Sequence, residues 1–155
     1  MEHKAFTILS WNILEGLRST AFGLKSRYLD FIKEIRNTDI VILQETWCRG
    51  DGPTGCPLNY RELVVPSTKL PGVKQGRESG GILIWYKSKL TISVKLIKTG
   101  QFYIWLEIDK GLTASAENIL LCATYIPPLE SPYYNEESSS VLEEVINHFQ
   151  AQVIF

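Results

Sequence analysis

At 155 residues the chain has the length of one domain or of part of a larger one. Its hydrophobic fraction of 45% supplies a substantial core and excludes global disorder. The formal net charge of −1 gives no overall electrostatic reason to expect nucleic acid, and no apolar run approaches the ~20 residues that a membrane-spanning helix needs.

Met1-Glu2-His3-Lys4 passes straight into a strand pattern over Ala5 to Asn12, without the apolar core of a signal peptide. This points to an intracellular protein, nuclear or cytoplasmic, with reduced thiols. Gly16 to Gly23 reads as a polar loop. From Leu24 to Arg36 the apolar residues Leu24, Tyr28, Leu29, Ile32 and Ile35 recur near the helical period, with charged residues opposite. Ile40 to Leu43 is then a short unbroken apolar strand. Strand, helix and strand with close connections predict a βαβ unit with parallel neighbours.

Arg49 to Gly55 is a loop rich in Gly, followed by a strand near Arg61 to Val65 and a second loop over Pro66 to Ser79. Gly81 to Tyr86, Thr91 to Ile97 and Phe102 to Ile108 are spaced as an antiparallel meander, with Asn118 to Ile126 as a further strand. A second helix is expected over Ser140 to Ala151, started by a capping box of Ser140 and Glu143. Ile40–Leu43, Ile82–Trp85 and Ile119–Cys122 are continuously apolar and so require cover on both faces. Two helices cover one face, which leaves the other to something outside the chain or to a second copy.

Cys48, Cys56 and Cys122 form no Cys-x-x-Cys pair and only two His exist, so no zinc site is legible. Cys122 lies in an apolar run and reads as a small core residue. From Lys69 to Lys98 there are seven cationic residues against one acid, Glu78, while Glu107 to Glu144 holds eight acids and one Lys. Such a division can put a positive face over phosphates, although ordinary solvated faces explain it more simply.

The residues that close three strands carry the functional signal. Asn12, Glu45 and Tyr125 each follow an apolar run, and side chains leaving the carboxyl ends of strands converge on one region in open α/β sheets. Alone, each is an ordinary cap, solvated acid or loop anchor. Together an amide, a carboxylate and a phenol suit an oxygen-rich substrate or a hard cation.

Ile8-Leu9-Ser10-Trp11-Asn12, Asp39 to Thr46, Ser79-Gly80-Gly81-Ile82-Leu83-Ile84 and Ala123-Thr124-Tyr125-Ile126-Pro127 together resemble the endonuclease/exonuclease/phosphatase superfamily. Gly76 to Gly81 and Ile84-Trp85-Tyr86-Lys87 resemble, more narrowly, the endonuclease domains of non-LTR retrotransposons. The resemblance implies an α/β (α+β) fold: half of a four-layer αββα sandwich, here one mixed sheet with helices on one face. Residues 1–155 would be a partial, truncated domain. It further implies a Mg2+- or Mn2+-dependent phosphodiesterase acting on DNA, in which Glu45 binds the metal, Asn12 helps hold the metal and phosphate, and Tyr125 contacts the scissile phosphate. Lys74 and Arg77 would lie near substrate phosphates.

Family members next carry Gly-Asp-x-Asn and later an Asp-His pair. Neither motif occurs here, and neither His3 nor His148 matches the family His by position. The chain is therefore expected to be inactive alone. The alternatives are a phosphatase of a small molecule or lipid on the same fold, or a catalytically dead interaction module that self-associates through its uncovered sheet face.

Overall fold

The structure, a computed structural model, describes residues 5–13, 18–19, 23–24, 29–70 and 78–152. Strand β1 (Ile8–Asn12) is followed by two short strands, β2 (Arg18–Ser19) and β3 (Gly23–Leu24), which pair with each other. Helix α1 (Leu29–Arg36) leads to β4 (Ile40–Gln44), β5 (Tyr60–Val65) and β6 (Ile82–Lys87). A 3-10 turn at Ser88–Leu90 precedes β7 (Val94–Gly100) and β8 (Tyr103–Ile108). The short helix α2 (Lys110–Thr113), strand β9 (Ile119–Thr124) and helix α3 (Glu136–Gln152) complete the order.

These strands form a mixed sheet, β1-β4-β6-β5, and an antiparallel sheet, β7-β8-β9, besides the β2-β3 pair. The βαβ expectation is met: β1 runs parallel to β4, with Asn12 opposite Gln44. Alternation along β4 and β6 explains their unbroken apolarity. Val41, Leu43, Leu83 and Trp85 point to one side and cluster with Phe31 and Ile35 of α1. Ile40, Ile42, Ile82 and Ile84 point to the other and meet Ile104, Leu106, Ile108 and Ala123 of the second sheet. Each such side chain, fully withdrawn from water, contributes about 1.5–3 kcal/mol.

The face expected to await a second copy is therefore covered by β7, β8 and β9 of the same chain. The α/β class holds, but the expected single sheet is two sheets, and helices α1 and α3 lie on opposite outer faces. Helix α3 covers the outside of the second sheet: the His148 ring lies 5.1 Å from that of Trp105, Lys98 pairs with Glu144, and Val141 is buried.

The expected meander divides at the 3-10 turn. Leu90 and Val94 are buried in the core between the sheets, so the chain crosses from one sheet to the other instead of pairing β6 with β7. Leu24, expected to open the first helix, pairs with Arg18 in the β2-β3 ladder, and that ladder occupies part of the expected loop. Helix α3 starts earlier than Ser140. Asn135 and Ser138 cap it reciprocally, Ser138 N donating to Asn135 Oδ1 (3.1 Å) and Asn135 N to Ser138 Oγ (3.3 Å).

At the amino end of β4, Asp39 is buried and accepts hydrogen bonds from Lys87 Nζ (2.9 Å), Thr7 N (3.1 Å) and Thr7 Oγ1 (3.0 Å). Burial is the largest single influence on its carboxyl and opposes ionisation. The Lys87 and Thr7 hydrogen bonds together outweigh it and hold the pKa below the usual carboxylate value. Nearby, the buried Tyr60 hydroxyl lies 2.6 Å from both the Ile35 and Thr38 carbonyls, and burial, with Asp39 and Cys56 adding, pushes its pKa up to about 12.

Candidate active site

The parallel register of β1 and β4 makes Asn12 and Glu45 leave the mixed sheet at one end. Asn12 Nδ2 donates to Glu45 Oε1 at 3.4 Å. Across the sandwich, Gln44 Nε2 donates to the Thr124 carbonyl at 2.9 Å. This bond ties the end of β4 to the end of β9, so Glu45 and Tyr125 follow on adjacent strand ends of the two sheets. Tyr125 N is in turn fixed on Phe102 O at 3.0 Å. The three side chains selected by sequence thus gather at one end of the two sheets.

The backbone there is strained. Glu45 has φ 54° and Trp47 φ 49°, left-handed values that cost a residue with a side chain about 1–3 kcal/mol. Backbone bonds from Thr46 N to Gly81 O (3.3 Å) and from Trp47 N to Gly80 O (3.1 Å) hold this bend in place. Gly80 and Gly81 have φ of 75° and 86°. A Cβ on Gly81 would lie 2.6 Å from Thr46 Oγ1, and one on Gly80 would lie 3.2 Å from the Tyr125 ring. The glycine pair therefore joins the Glu45 bend to Tyr125 with no space between them.

Gln44, Thr46, Gly80 and Gly81 were not singled out as site residues by sequence. Two signals were present: a polar residue at an inward position of an apolar strand, and a double glycine just before another strand. Lys74 and Arg77 lie outside the described residues. Among the described residues of the cationic segment, three face acids elsewhere in the molecule. Lys87 is paired with Asp39 at the far end of the sheet, Lys98 with Glu144, and Lys95 stands opposite Glu107 in the β-ladder. His148 packs on the outer face of the second sheet, 3.9 Å from Glu144, and belongs to the α3 layer. Cys48, Cys56 and Cys122 are free thiols, and burial pushes Cys56 up to about 12 and Cys122 to about 11.

Among the described residues no group of three or more His, Cys, Asp or Glu assembles that could hold a metal ion. The donor set at Glu45 still fits a hard divalent cation in kind. It offers a carboxylate and an amide, and Mg2+ typically takes only one or two carboxylates, with water and substrate phosphate completing its octahedron. No described helix is long and apolar enough to cross a membrane.

The Endonuclease/Exonuclease/phosphatase family model matches residues 9–150, and the chain belongs to that family, whose members generally depend on a divalent metal. The fold is also similar to the crystal structure of AP endonuclease LMAP from Leishmania major, with a TM-score of 0.54 and 17% sequence identity. That match covers 79% of this chain and 40% of the other, so the chain spans less than half of the neighbour's length. None of the curated proteins compared with it matches significantly in sequence.

Proposed function

We propose that this chain carries the metal- and phosphate-holding part of a divalent-cation-dependent phosphodiesterase that cuts DNA, of the kind found in retroelement endonucleases. One observation carries the reading: Glu45 is held in a strained left-handed backbone beside Asn12, at the strand ends it shares with Tyr125. Strain that the surrounding hydrogen bonds maintain is characteristic of functional positions. The AP endonuclease neighbour supports a DNA substrate, and the resemblance of Gly76–Gly81 and Ile84–Lys87 supports the retroelement origin.

In this reading Glu45 supplies the anionic ligand, and Asn12 orients it through the Nδ2 hydrogen bond. The Tyr125 phenol donates to a phosphate oxygen, and its ring is kept in place by contact with Gly80. A bound Mg2+ or Mn2+ supplies charge neutralisation at the phosphate and acidification of water. The reading assigns no second carboxylate and no general base to this chain, so the chain alone turns over little or no substrate.

The test is nicking of a supercoiled plasmid by the protein in which this chain resides. Nicking with Mg2+, loss in EDTA and a fall of more than about a hundredfold in Glu45→Ala are expected, since removing a ligand removes transition-state stabilisation. Full activity in Glu45→Ala overturns the assignment. The near-neutral net charge of −1, with Lys87 and Lys98 each taken up in an ion pair, favours a second reading, a phosphatase of a phosphorylated small molecule or lipid. A shallow salt dependence of DNA affinity, with faster turnover of a phosphorylated polyol, would select it.

A further inference from the structure

Beside the Glu45 bend, one carboxylate bonds two loops while belonging to a third segment of the chain. Glu78 stands just before Ser79 and the Gly80–Gly81 joint. Its Oε1 accepts from Arg49 Nε in the loop after β4, and its Oε2 accepts from Ser67 Oγ, at 2.5 Å, in the loop after β5. Those two loops also meet directly. Ser67 N donates to the Cys48 carbonyl at 2.7 Å, and a Cβ on Gly50 would lie 3.2 Å from the Pro66 ring. Thr68 and Ser79 exchange both backbone bonds, at 2.9 and 3.0 Å.

The bend is thereby anchored twice. Thr46 N and Trp47 N hold it on the carbonyls of Gly81 and Gly80, and immediately afterwards Cys48 and Arg49 hold it on Ser67 and Glu78. The left-handed residues Glu45 and Trp47 sit at the first anchor. Neither returns to a commoner conformation without displacing the chain that the second anchor fixes.

Stability alone does not account for Glu78. Its side chain is only 11% exposed, which costs a carboxylate hydration, whereas its partner Arg49 is 67% exposed, and a pair so open to water contributes little to folding. Ser67 does not depend on it either, since the Cys48 carbonyl lies 3.0 Å from Ser67 Oγ.

We infer that Glu78 is a positioning residue for Glu45: it locks the loops after β4 and β5 to the Gly80–Gly81 segment, so that the Glu45 carboxylate keeps one direction toward the cation. The proposal rests on the phosphodiesterase reading above and adds to it the group that steadies the metal ligand. Groups that orient a ligand without touching the metal typically change metal affinity by ~10- to 100-fold.

The test measures Mn2+ affinity of the chain by electron spin resonance of the free ion, hydrogen exchange at the Thr46 and Trp47 amides, and urea unfolding. Glu78→Ala should weaken Mn2+ about tenfold and speed exchange at those two amides. The unfolding midpoint and the amides within β4 should stay in place, because Arg49 returns to water and Ser67 keeps the Cys48 carbonyl. Glu78→Gln should restore both readouts, its oxygen accepting from Arg49 and its amide donating to Ser67 Oγ. Unchanged Mn2+ affinity in Glu78→Ala overturns the positioning role, whatever the two amides do. So does faster exchange throughout the core, or a Glu78→Gln variant as weak as Glu78→Ala. A chain that binds no Mn2+, or binds it equally well as Glu45→Gln, overturns the metal reading and the role built on it, a result that no Glu78 variant can produce.

Discussion

Strands β1 and β4 run side by side through the mixed sheet, and the chain finishes their two ends in opposite ways. At the amino end Asp39 is buried, ion-paired with Lys87 and bonded to both the backbone and the hydroxyl of Thr7. At the carboxyl end Glu45 sits on a left-handed backbone, with the Asn12 amide at 3.4 Å and a glycine pair packed against the bend. Two carboxylates flanking one strand thus have different purposes. The first is enclosed by partners that fix the sheet; the second is held against conformational preference, where stability alone would not put it.

Substitutions at the two ends should separate these purposes. The largest effect is expected at the amino end. Lys87→Met leaves Asp39 buried without its cation and should cost about 3–5 kcal/mol in urea unfolding. The double variant Asp39→Asn with Lys87→Met should recover part of that loss, since no unpaired charge remains. The sign with pH follows from the depressed carboxyl of Asp39. Its contribution is present above the unfolded value of ~3.9 and is lost as pH falls through the lower folded value, so Asp39→Asn should flatten the acid limb of the stability curve.

At the carboxyl end Gly81→Ala should cost about 2 kcal/mol, because φ is 86° and the new Cβ would meet Thr46 Oγ1 at 2.6 Å. It should weaken Mn2+ binding as well, by displacing the Glu45 bend. Glu45→Gly should act in the reverse sense, raising stability by about 1 kcal/mol as the left-handed strain is relieved, while abolishing metal binding. A destabilised Glu45→Gly would erase the contrast between the two ends. The smallest change is expected for Tyr125→Phe, which should leave unfolding within about 0.5 kcal/mol and appear only in turnover by the protein in which the chain resides.

The sequence made one end of the molecule legible and the rest only in outline. Asn12, Glu45 and Tyr125 could be chosen because a polar residue closing an apolar strand is a local signal. The parallel pairing of β1 and β4 followed from the intervening helix. What was missed depends on contacts distant in sequence. The apolarity of β4 and β6 showed that both faces needed cover, but not that β7 to β9 would return to provide it. That depends on Leu90 and Val94 turning the chain between sheets, and a buried turn has no distinctive local pattern. The cap of α3 was misplaced because Ser140 and Glu143 satisfy the same rule that Asn135 and Ser138 actually use. The cationic segment was visible as composition, but the pairing of Lys87 with Asp39 and of Lys98 with Glu144 depends on contacts distant in sequence.

The most direct test of the carboxyl end is paramagnetic broadening by Mn2+ in the amide spectrum. If Glu45 anchors a cation between the two sheets, trace Mn2+ should broaden Asn12, Glu45, Gly80 and Tyr125 first, and Glu45→Gln should abolish the effect while the fold is retained. Broadening centred on other carboxylates, or unchanged in Glu45→Gln, would contradict a metal centre at these strand ends.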